Sequence, residues 1–270
     1  KVNSDFLKNI PSFCLIHSKE INHSTGSGLN KRVLKSMSKV KYIIANSNFT
    51  KNLGVQIGLP EKKIHIINPG CDEPIEIKND LQVKTNEIYK DSFPKILTIA
   101  RLEKRKNHQS ILMCIKNLSE KFPKIKYISI GDGDEKDKLI SLSKELKIEK
   151  NVSFIYNIDQ KLKAAFIKNS NLFLMPSIIS KKSVEGFGIS FIEAASYGIG
   201  SIGGTDGGER DAIVDGKTGL ICNGNDINSI HENILKFFED DNYKTFGSNA
   251  FKFSKNFNWK NIVKKYIDLI

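Results

Sequence analysis

The chain has 270 residues, of which 39% are hydrophobic and 27% charged, a composition typical of soluble globular proteins with one or two domains. No apolar run is long enough to span a membrane, and no secretory signal is visible. The net charge of +12 favours anionic partners such as nucleic acid, anionic lipid or phosphorylated small molecules, although a lysine-rich genome composition explains part of it equally well.

The four cysteines are too few and too scattered for a zinc site, a redox motif or a disulfide framework. We interpret them as the reduced thiols of a cytosolic protein. Because the first residue is Lys1 rather than Met, we expect the sequence to be part of a longer protein.

Short apolar strands alternate with amphipathic helices along the chain. The strands are predicted at 13–17, 42–45, 64–67, 96–100, 125–130, 152–155, 172–175 and 199–202. The helices are predicted at 30–41, 49–58, 108–118, 135–146, 160–168, 189–197 and 259–270, with Ser47 as a helix N-cap. This alternation predicts an α/β fold in which a parallel sheet is covered by helices on both faces.

A polar stretch at 71–94 contains two prolines and no clear periodicity, so we interpret it as a linker between domains. We therefore divide the chain into a first domain at 1–75, a linker at 76–94 and a second domain at 95–252. The segment 253–270 is predicted to be a C-terminal helix that packs back toward the first domain. Its apolar stripe, which includes Trp259 and Ile270, is predicted to face the core.

The densest cluster of functional residue types runs from Glu185 through Gly186, Phe187, Gly188 and Ile189, and Glu193 follows. It comes after an apolar strand and opens a helix, where free backbone amides and the helix dipole favour a phosphate group. The glycines allow a ligand to approach the backbone closely. The two carboxylates, about two helical turns apart, suit hydroxyl groups at either end of an extended ligand. A glycine-rich turn with two solvated glutamates is the alternative.

A second cluster, Arg101 and Lys106, follows the strand at 96–100 at the same sheet edge. Two cations there could neutralise a diphosphate and stabilise it as a leaving group. The alternative is a solvated basic loop.

Gly131 and Asp132 form a tight turn after the strand at 125–130, which would let a base or a phosphate approach. The Gly-Asp-Gly sequence of this turn is only part of a dinucleotide-binding fingerprint. The glycine-rich stretches 203–208 and 215–220 are interpreted as turns.

Taken together, these segments resemble family 4 of the retaining glycosyltransferases, which have the two-domain GT-B fold. The resemblance runs in order through IANSNFTKNLG, HIINPGCD, LTIARLEKRKNH, ISIGDGDEKDKL, NLFLMPS, EGFGISFIEAASYG, DGG and DGKTGL. It implies a complete C-terminal Rossmann-like domain that binds a nucleotide-sugar donor, preceded by only the last part of an N-terminal, acceptor-side Rossmann-like domain.

The resemblance also implies roles for individual residues. Arg101 and Lys106 would hold the donor diphosphate, with backbone amides of Gly188 and Ile189. Glu185 would bind sugar hydroxyls and Glu193 the ribose. Gly131 and Asp132 would lie beside the nucleotide, and His17 near the transferred sugar, although a structural histidine is equally consistent. The leaving phosphate would accept the acceptor proton, so neither a protein base, a metal nor a cofactor is expected.

Four positions depart from the family pattern. Tyr156 and Asn107 stand where glycine is usual, Asp211 where glutamate is usual and Gly200 where proline is common. The larger departure is at the start, because an N-terminal domain of about 150 residues would be usual and only about 70 precede the linker.

We therefore expect a hexosyltransferase of mannose or glucose type that acts on a glycan or lipid-linked acceptor in surface polysaccharide or lipopolysaccharide synthesis. It would be cytoplasmic, free or peripheral on the inner membrane face, where the basic helix at 30–41 could contact anionic lipid. The alternatives are a sugar-nucleotide epimerase or hydrolase of the same fold and a non-catalytic nucleotide-sugar-binding module. A nucleic-acid binder is indicated by charge alone, and we expect no nucleic-acid partner because aromatic and basic residues are not interleaved.

Overall fold

A computed structural model describes residues 11–270, and the first ten residues of the predicted domain 1–75 lie outside that range. The described residues form two parallel sheets. The three-stranded sheet has the order β1-β2-β3, with β1 at Phe13–Ile16, β2 at Tyr42–Ala45 and β3 at Ile64–Ile66. The six-stranded sheet contains β4 (Lys95–Ile99), β5 (Lys126–Ile130), β6 (Val152–Ile155), β7 (Leu172–Met175), β8 (Ser201–Gly204) and β9 (Gly219–Cys222).

Helices connect the strands, and three more helices follow the last strand. They are α1 (Gly28–Met37), α2 (Asn48–Gln56), α3 (Asn79–Tyr89), α4 (His108–Lys121), α5 (Lys136–Glu145), α6 (Gln160–Lys168), α7 (Ile189–Ser196), α8 (Glu209–Ala212), α9 (Ile227–Phe238), α10 (Asn242–Ser254) and α11 (Trp259–Ile267). Ser47 is the N-cap of α2 as predicted, and its side chain accepts a hydrogen bond from the amide of Thr50 at 3.0 Å.

The six-stranded sheet buries apolar side chains on both faces. Ile96 on β4 lies in register with a β5 residue, Tyr127, and all three strands β4, β5 and β7 contribute fully buried side chains to this layer. Leu97, the next residue along β4, belongs to a separate buried cluster. Successive side chains of a strand point to opposite faces, so the two clusters are the two sides of the sheet. This arrangement confirms the predicted parallel sheet with helices on both faces.

The strand order β6-β5-β4-β7-β8-β9 determines where a ligand can bind. The chain runs outward from β4 to β6 and then returns to pair β7 with the other side of β4. Loops that leave the carboxyl ends of β4 and β7 therefore diverge, and a crevice opens between them. The segments around Lys106 and Glu185 follow these two strands.

The segment 71–94 is not the irregular linker that its composition indicated. It contains α3, in which Thr85 and Tyr89 are fully buried, and the ring of Tyr89 packs edge-on against Phe166 of α6 at 6.0 Å. The helix is stabilised by these contacts with distant residues, which a local pattern with few apolar residues does not reveal. The stretch 215–220 was likewise interpreted as a turn, but its last two residues begin β9.

The C-terminal helix α11 has an apolar stripe, but the prediction that the whole stripe faces the core was wrong. Ile262 is buried with Ile44 and Ile67 of the three-stranded side. In contrast, Trp259, Ile267 and the following Ile270 are more than half exposed. One helix face can contact the sheet only along a narrow line, and the edges of a wide stripe remain in solvent. The division into domains at 76, 95 and 253 stays a prediction.

Within residues 11–270, we find no helix with the combination of length and apolar character that crossing a membrane requires.

Candidate functional site between the two sheets

A cavity of about 560 Å³ lies where the carboxyl ends of strands from both sheets face each other. One side is formed by His17 after β1, together with Asn46 after β2. The other side is formed by the loop after β4 and by the segment that leads into α7. This cavity is lined by eight of the residues predicted from the sequence: His17, Arg101, Lys106, Glu185, Gly186, Phe187, Gly188 and Ile189.

Glu185 is the centre of an ionic cluster in this cavity. Its Oε2 atom accepts hydrogen bonds from the ammonium of Lys106 and, at 2.9 Å, from Nη1 of Arg105. Burial by itself would raise the pKa of the Glu185 carboxyl, but the positive charges and hydrogen bonds of Lys106 and Arg105 outweigh burial and lower it. Glu185 is therefore an ionised carboxylate paired with two cations, so the interpretation of a solvated glutamate at this position was wrong.

The structure pairs Glu185 with Arg105 rather than with Arg101. The Arg101 side chain is 69% exposed, and its Nη1 lies 2.5 Å from a carboxylate oxygen of Glu103 at the rim of the cavity. The Arg105 side chain is only 11% exposed. Residues 104–106 form a 3-10 turn, which turns Arg105 and Lys106 inward and leaves Lys104 in solvent. The sequence contained no signal for this difference, because all three residues appeared as one basic loop.

Asn107 ends this turn in the left-handed region, with φ 62°. Its side-chain amide donates hydrogen bonds to the carbonyls of Pro176 at 3.1 Å and Gly224 at 2.7 Å. Asparagine tolerates this conformation better than most residues, which explains why it can replace the glycine usual in the resembled family. Its hydrogen bonds also join the loop after β4 to the loop after β7.

Gly186 allows the two sides of the cavity to meet closely. A Cβ atom at this position would stand 2.7 Å from the carbonyl oxygen of His17 and 2.9 Å from Nδ2 of Asn46. Gly188 adopts φ +89° immediately before α7, whose first residues line the cavity with free backbone amides. The Phe187 side chain is buried and packs against Phe257 at 5.8 Å, so its ring belongs to the core.

Glu193 lies in a neighbouring cavity of about 480 Å³, which shares Ile189 with the first one. Its carboxylate pairs with the ammonium of Lys163 on α6. Cys71, Tyr197 and Trp259 also line this second cavity. The two glutamates thus face two neighbouring cavities on either side of Ile189. Lys163 was not singled out from the sequence, because it appeared as one of several lysines on an amphipathic helix.

Gly131 and Asp132 lie apart from both cavities, in the turn after β5. Gly131 adopts φ +143°, and a Cβ atom there would stand 2.0 Å from the carbonyl oxygen of Ala100. The Asp132 carboxylate accepts a hydrogen bond from the amide of Gly133 at 2.9 Å. A close approach of two loops therefore accounts for this glycine, and a contact with the nucleotide stays a prediction.

Tyr156 contacts the protein core rather than the lining of either cavity. It packs against the buried cluster that includes Tyr127, and the ammonium of Lys136 stands 3.6 Å from its ring centroid.

Among residues 11–270 there is no group of three or more His, Cys, Asp or Glu side chains arranged to hold a metal ion.

Comparison with known proteins identifies relatives of this fold and sequence. The chain is 24% identical over 188 residues to a GDP-mannose-dependent alpha-(1-6)-phosphatidylinositol monomannoside mannosyltransferase of Mycolicibacterium smegmatis, covering 68% of this chain and 49% of that protein. It is 26% identical over 214 residues to the N-acetyl-alpha-D-glucosaminyl L-malate synthase of Bacillus anthracis, covering 79% of this chain and 54% of that protein. The chain thus spans about half the length of these relatives.

Among solved structures, Anabaena Alr3699/HepE in complex with UDP and glucose superimposes with a TM-score of 0.82 at 18% identity, covering 96% of this chain and 71% of that one. This likeness confirms the GT-B-type α/β fold. The model of the family described as glycosyl transferases group 1 matches residues 81–253, which include most of α3 and all six strands of the six-stranded sheet. The chain therefore belongs to the glycosyl transferases group 1 family.

Proposed function

We propose that this chain is the donor-binding part of a retaining glycosyltransferase that transfers a hexose from a nucleotide diphosphate sugar. The ionic cluster of Glu185, Lys106 and Arg105 is the observation that carries the proposal. It lies at the point where the strand order reverses, beside the free amides at the start of α7. Cations and helix amides suit a diphosphate, and a carboxylate beside them suits the hydroxyl groups of a sugar.

The proposed division of roles follows from the two cavities. The diphosphate would lie against Lys106, Arg105 and the amides of Gly188 and Ile189, with Arg101 entering from the rim. The hexose would then contact Glu185, which lines the larger cavity near His17. The nucleoside would extend into the smaller cavity, where Glu193 can accept hydrogen bonds from ribose hydroxyls. Binding would require Lys163 to give up or share its ion pair with Glu193.

The chemistry proposed is substitution at the anomeric carbon with retention. The bond between that carbon and the donor phosphate oxygen breaks, and a bond from the acceptor oxygen forms on the same face. The acceptor proton passes to the departing phosphate oxygen, so no protein group has to act as base. Lys106 and Arg105 stabilise the negative charge that develops on the leaving diphosphate. No metal ion and no further cofactor is assigned to these steps.

For the sugar, the base and the acceptor, we propose only a chemical class. One relative is named as GDP-mannose-dependent, another is named an N-acetyl-alpha-D-glucosaminyl L-malate synthase, and the Anabaena structure contains UDP and glucose. These names support a hexose donor, and they are consistent with either guanine or uracil as the base of the donor nucleotide. We propose a glycan or lipid-linked acceptor of surface polysaccharide or lipopolysaccharide synthesis, on the cytoplasmic side of the membrane.

Isothermal titration with GDP-mannose, UDP-glucose, UDP-galactose and UDP-N-acetylglucosamine tests the donor site. We expect one donor to bind, and binding to weaken at least about tenfold in Lys106→Ala and in Glu193→Ala, because each change removes a charged partner of the ligand. Lys116→Ala and Glu120→Ala are matched controls, since both side chains are exposed on α4. Equal affinity in Lys106→Ala and the wild type would refute the assignment.

We also propose a peripheral contact between α1 and anionic lipid. Lys31, Arg32 and Lys35 are exposed on this helix, and Leu29 is 47% exposed beside them. Each basic residue near an anionic surface contributes about 1 kcal/mol. Sedimentation with phosphatidylserine-containing vesicles at low salt should decrease when these three residues are replaced by Glu. The same charge change at Lys116, Lys121 and Lys124, which are exposed on or near α4, should have a smaller effect. Equal loss in both triple variants would refute a specific role for α1.

A further inference from the structure

A buried carboxyl group with no role in the proposed reaction lies directly behind the Glu185 cluster. Glu209, the first residue of α8, has no exposed surface. If Gly207 carried a Cβ atom, that atom would stand 2.5 Å both from Oε2 of Glu209 and from the backbone carbonyl oxygen of Glu185. Gly208 also donates a hydrogen bond to the same Glu185 carbonyl at 2.9 Å. The side chain of Glu209 therefore packs against the backbone that carries Glu185.

The surroundings of Glu209 stabilise a negative charge too little to offset the burial of the carboxyl group. Neither carboxylate oxygen has a partner that meets hydrogen-bond geometry among residues 11–270. Phe191 and Ile213 converge with Glu209 around Gly203. An unpaired carboxylate in such a site is costly, and protonation removes most of the cost.

The charged and titratable groups that act on Glu209 come from three elements. Burial first, and then the negative charge of Glu185, raise its pKa to about 8. The nearby backbone amide of Glu209 itself, the Ser177 hydroxyl and the charge of Lys106 oppose the shift. Cys222 on β9 faces it as a neutral thiol, because burial raises the pKa of that thiol to about 12. At neutral pH Glu209 is thus mostly a carboxylic acid that can lose its proton under mildly alkaline conditions.

We propose that the protonation state of Glu209 controls the affinity for the donor. The donor diphosphate binds when this carboxyl group is neutral, and its affinity falls when the carboxyl group ionises. With Glu209 neutral, the cluster and its rim carry one net positive charge and attract an anion. Three positive charges (Arg101, Arg105 and Lys106) stand against two negative ones (Glu103 and Glu185). An ionised Glu209 cancels the remaining positive charge. The effect is reciprocal, because a bound diphosphate favours the protonated form of Glu209.

This inference rests on the proposed function, since it concerns the affinity of the same cavity for a diphosphate. Its test is titration calorimetry of the wild type between pH 7 and pH 9 with the same four nucleotide sugars, GDP-mannose, UDP-glucose, UDP-galactose and UDP-N-acetylglucosamine. Both phosphates of these compounds are esterified, so the charge of the diphosphate stays constant over this range. With a pKa of about 8, only about one molecule in eleven keeps the proton at pH 9, and the Kd should rise about tenfold if only that form binds.

Two further measurements separate Glu209 from other groups that titrate in this range. In Glu209→Gln the Kd should change less than about twofold between pH 7 and pH 9, whereas Glu232→Gln, an exposed control on α9, should behave as the wild type. Carbon-13 NMR of protein labelled at the glutamate carboxyl carbons should contain one signal that titrates near pH 8 and is absent from Glu209→Gln. The NMR experiment needs no donor.

The outcomes are distinct. Donor binding at pH 7 with a pH-independent Kd in the wild type would overturn the inference and leave the proposed function standing. A pH dependence that persists in Glu209→Gln would assign the linkage to another group, as would the absence of a carboxyl signal titrating between pH 7 and pH 9. Failure of all four nucleotide sugars to bind at any pH would overturn the proposed function and the linkage together.

Discussion

The carboxylate of Asp211 accepts a hydrogen bond from the backbone amide of Asn48, with 2.7 Å between Oδ2 and N. The same oxygen also accepts one from the Asn48 side chain at 3.1 Å. Asn48 is the first residue of α2, whose initial amides have no partner within the helix. Asp211 lies on α8, so this contact joins the helix after β8 to the helix after β2 and helps to hold the two sides of the crevice together.

Replacing Asp211 with Ala should lower the free energy of unfolding by about 1–3 kcal/mol, because the backbone amide and the side-chain amide of Asn48 both lose a charged acceptor. Urea unfolding followed by circular dichroism measures the change. Asp91→Ala is the control, since Asp91 is exposed in the loop after α3. An equal, small effect of both substitutions would contradict the role of this contact.

Arg105→Ala should cost more stability than Arg101→Ala, although the two residues are only four positions apart. The loss of Arg105 leaves a largely buried carboxylate with one partner fewer, which we expect to cost about 1.5–3 kcal/mol. Arg101 pairs with Glu103 at the surface, and such a pair contributes about 0–1 kcal/mol. Thermal unfolding of both variants measures the two losses of stability. A larger loss in Arg101→Ala than in Arg105→Ala would contradict the pairing of Arg105 with Glu185.

Gly131→Ala should be strongly destabilising, with a loss of more than about 3 kcal/mol from a steric clash and backbone strain together. The new Cβ atom would stand 2.0 Å from the carbonyl oxygen of Ala100, which belongs to the backbone and has little freedom to move. Gly216 is the matched control, because its φ is +70° but nothing lies within 4 Å of a Cβ there. We expect about 1–2 kcal/mol for Gly216→Ala, from backbone strain alone. Urea unfolding compares the two.

Acidification should destabilise the protein through His108. Burial, and to a smaller extent the charge of Lys106, lower the pKa of His108 to about 4, against an opposing hydrogen bond with the backbone of Arg101. Nδ1 lies 3.0 Å from the hydroxyl of Tyr127. The unfolded chain binds a proton below about pH 6.5 that the folded chain does not bind until about pH 4, so stability falls as pH falls through this window.

The expected loss from His108 is up to roughly 3 kcal/mol between pH 6.5 and pH 4. The stability of His108→Gln should depend less on pH over the same range. His231→Gln, at a half-buried position on α9, is the comparison for a histidine outside this core. Equal pH slopes for the wild type and His108→Gln would contradict a neutral buried imidazole.

Local patterns were sufficient to predict much of this protein. Alternating apolar strands and amphipathic helices indicated the parallel sheet, because a strand buried on both faces requires an apolar residue at nearly every position. The position of Glu185 and Gly188 after β7 indicated the crevice, because the loops after parallel strands meet at one edge. The cap at Ser47 was also visible, since a capping side chain and its helix are neighbours in sequence.

Tertiary structure decided which of these residues meet. Arg105 rather than Arg101 reaches Glu185, because a single 3-10 turn selects which side chains point inward. The helix α3 depends on a contact between Tyr89 and Phe166, which are far apart in sequence. Glu209 resembles any charged residue of a surface turn until the packing of α8 removes it from water. Burial and long-range pairing determine the charge state of a side chain, and neither is a property of its neighbours in sequence.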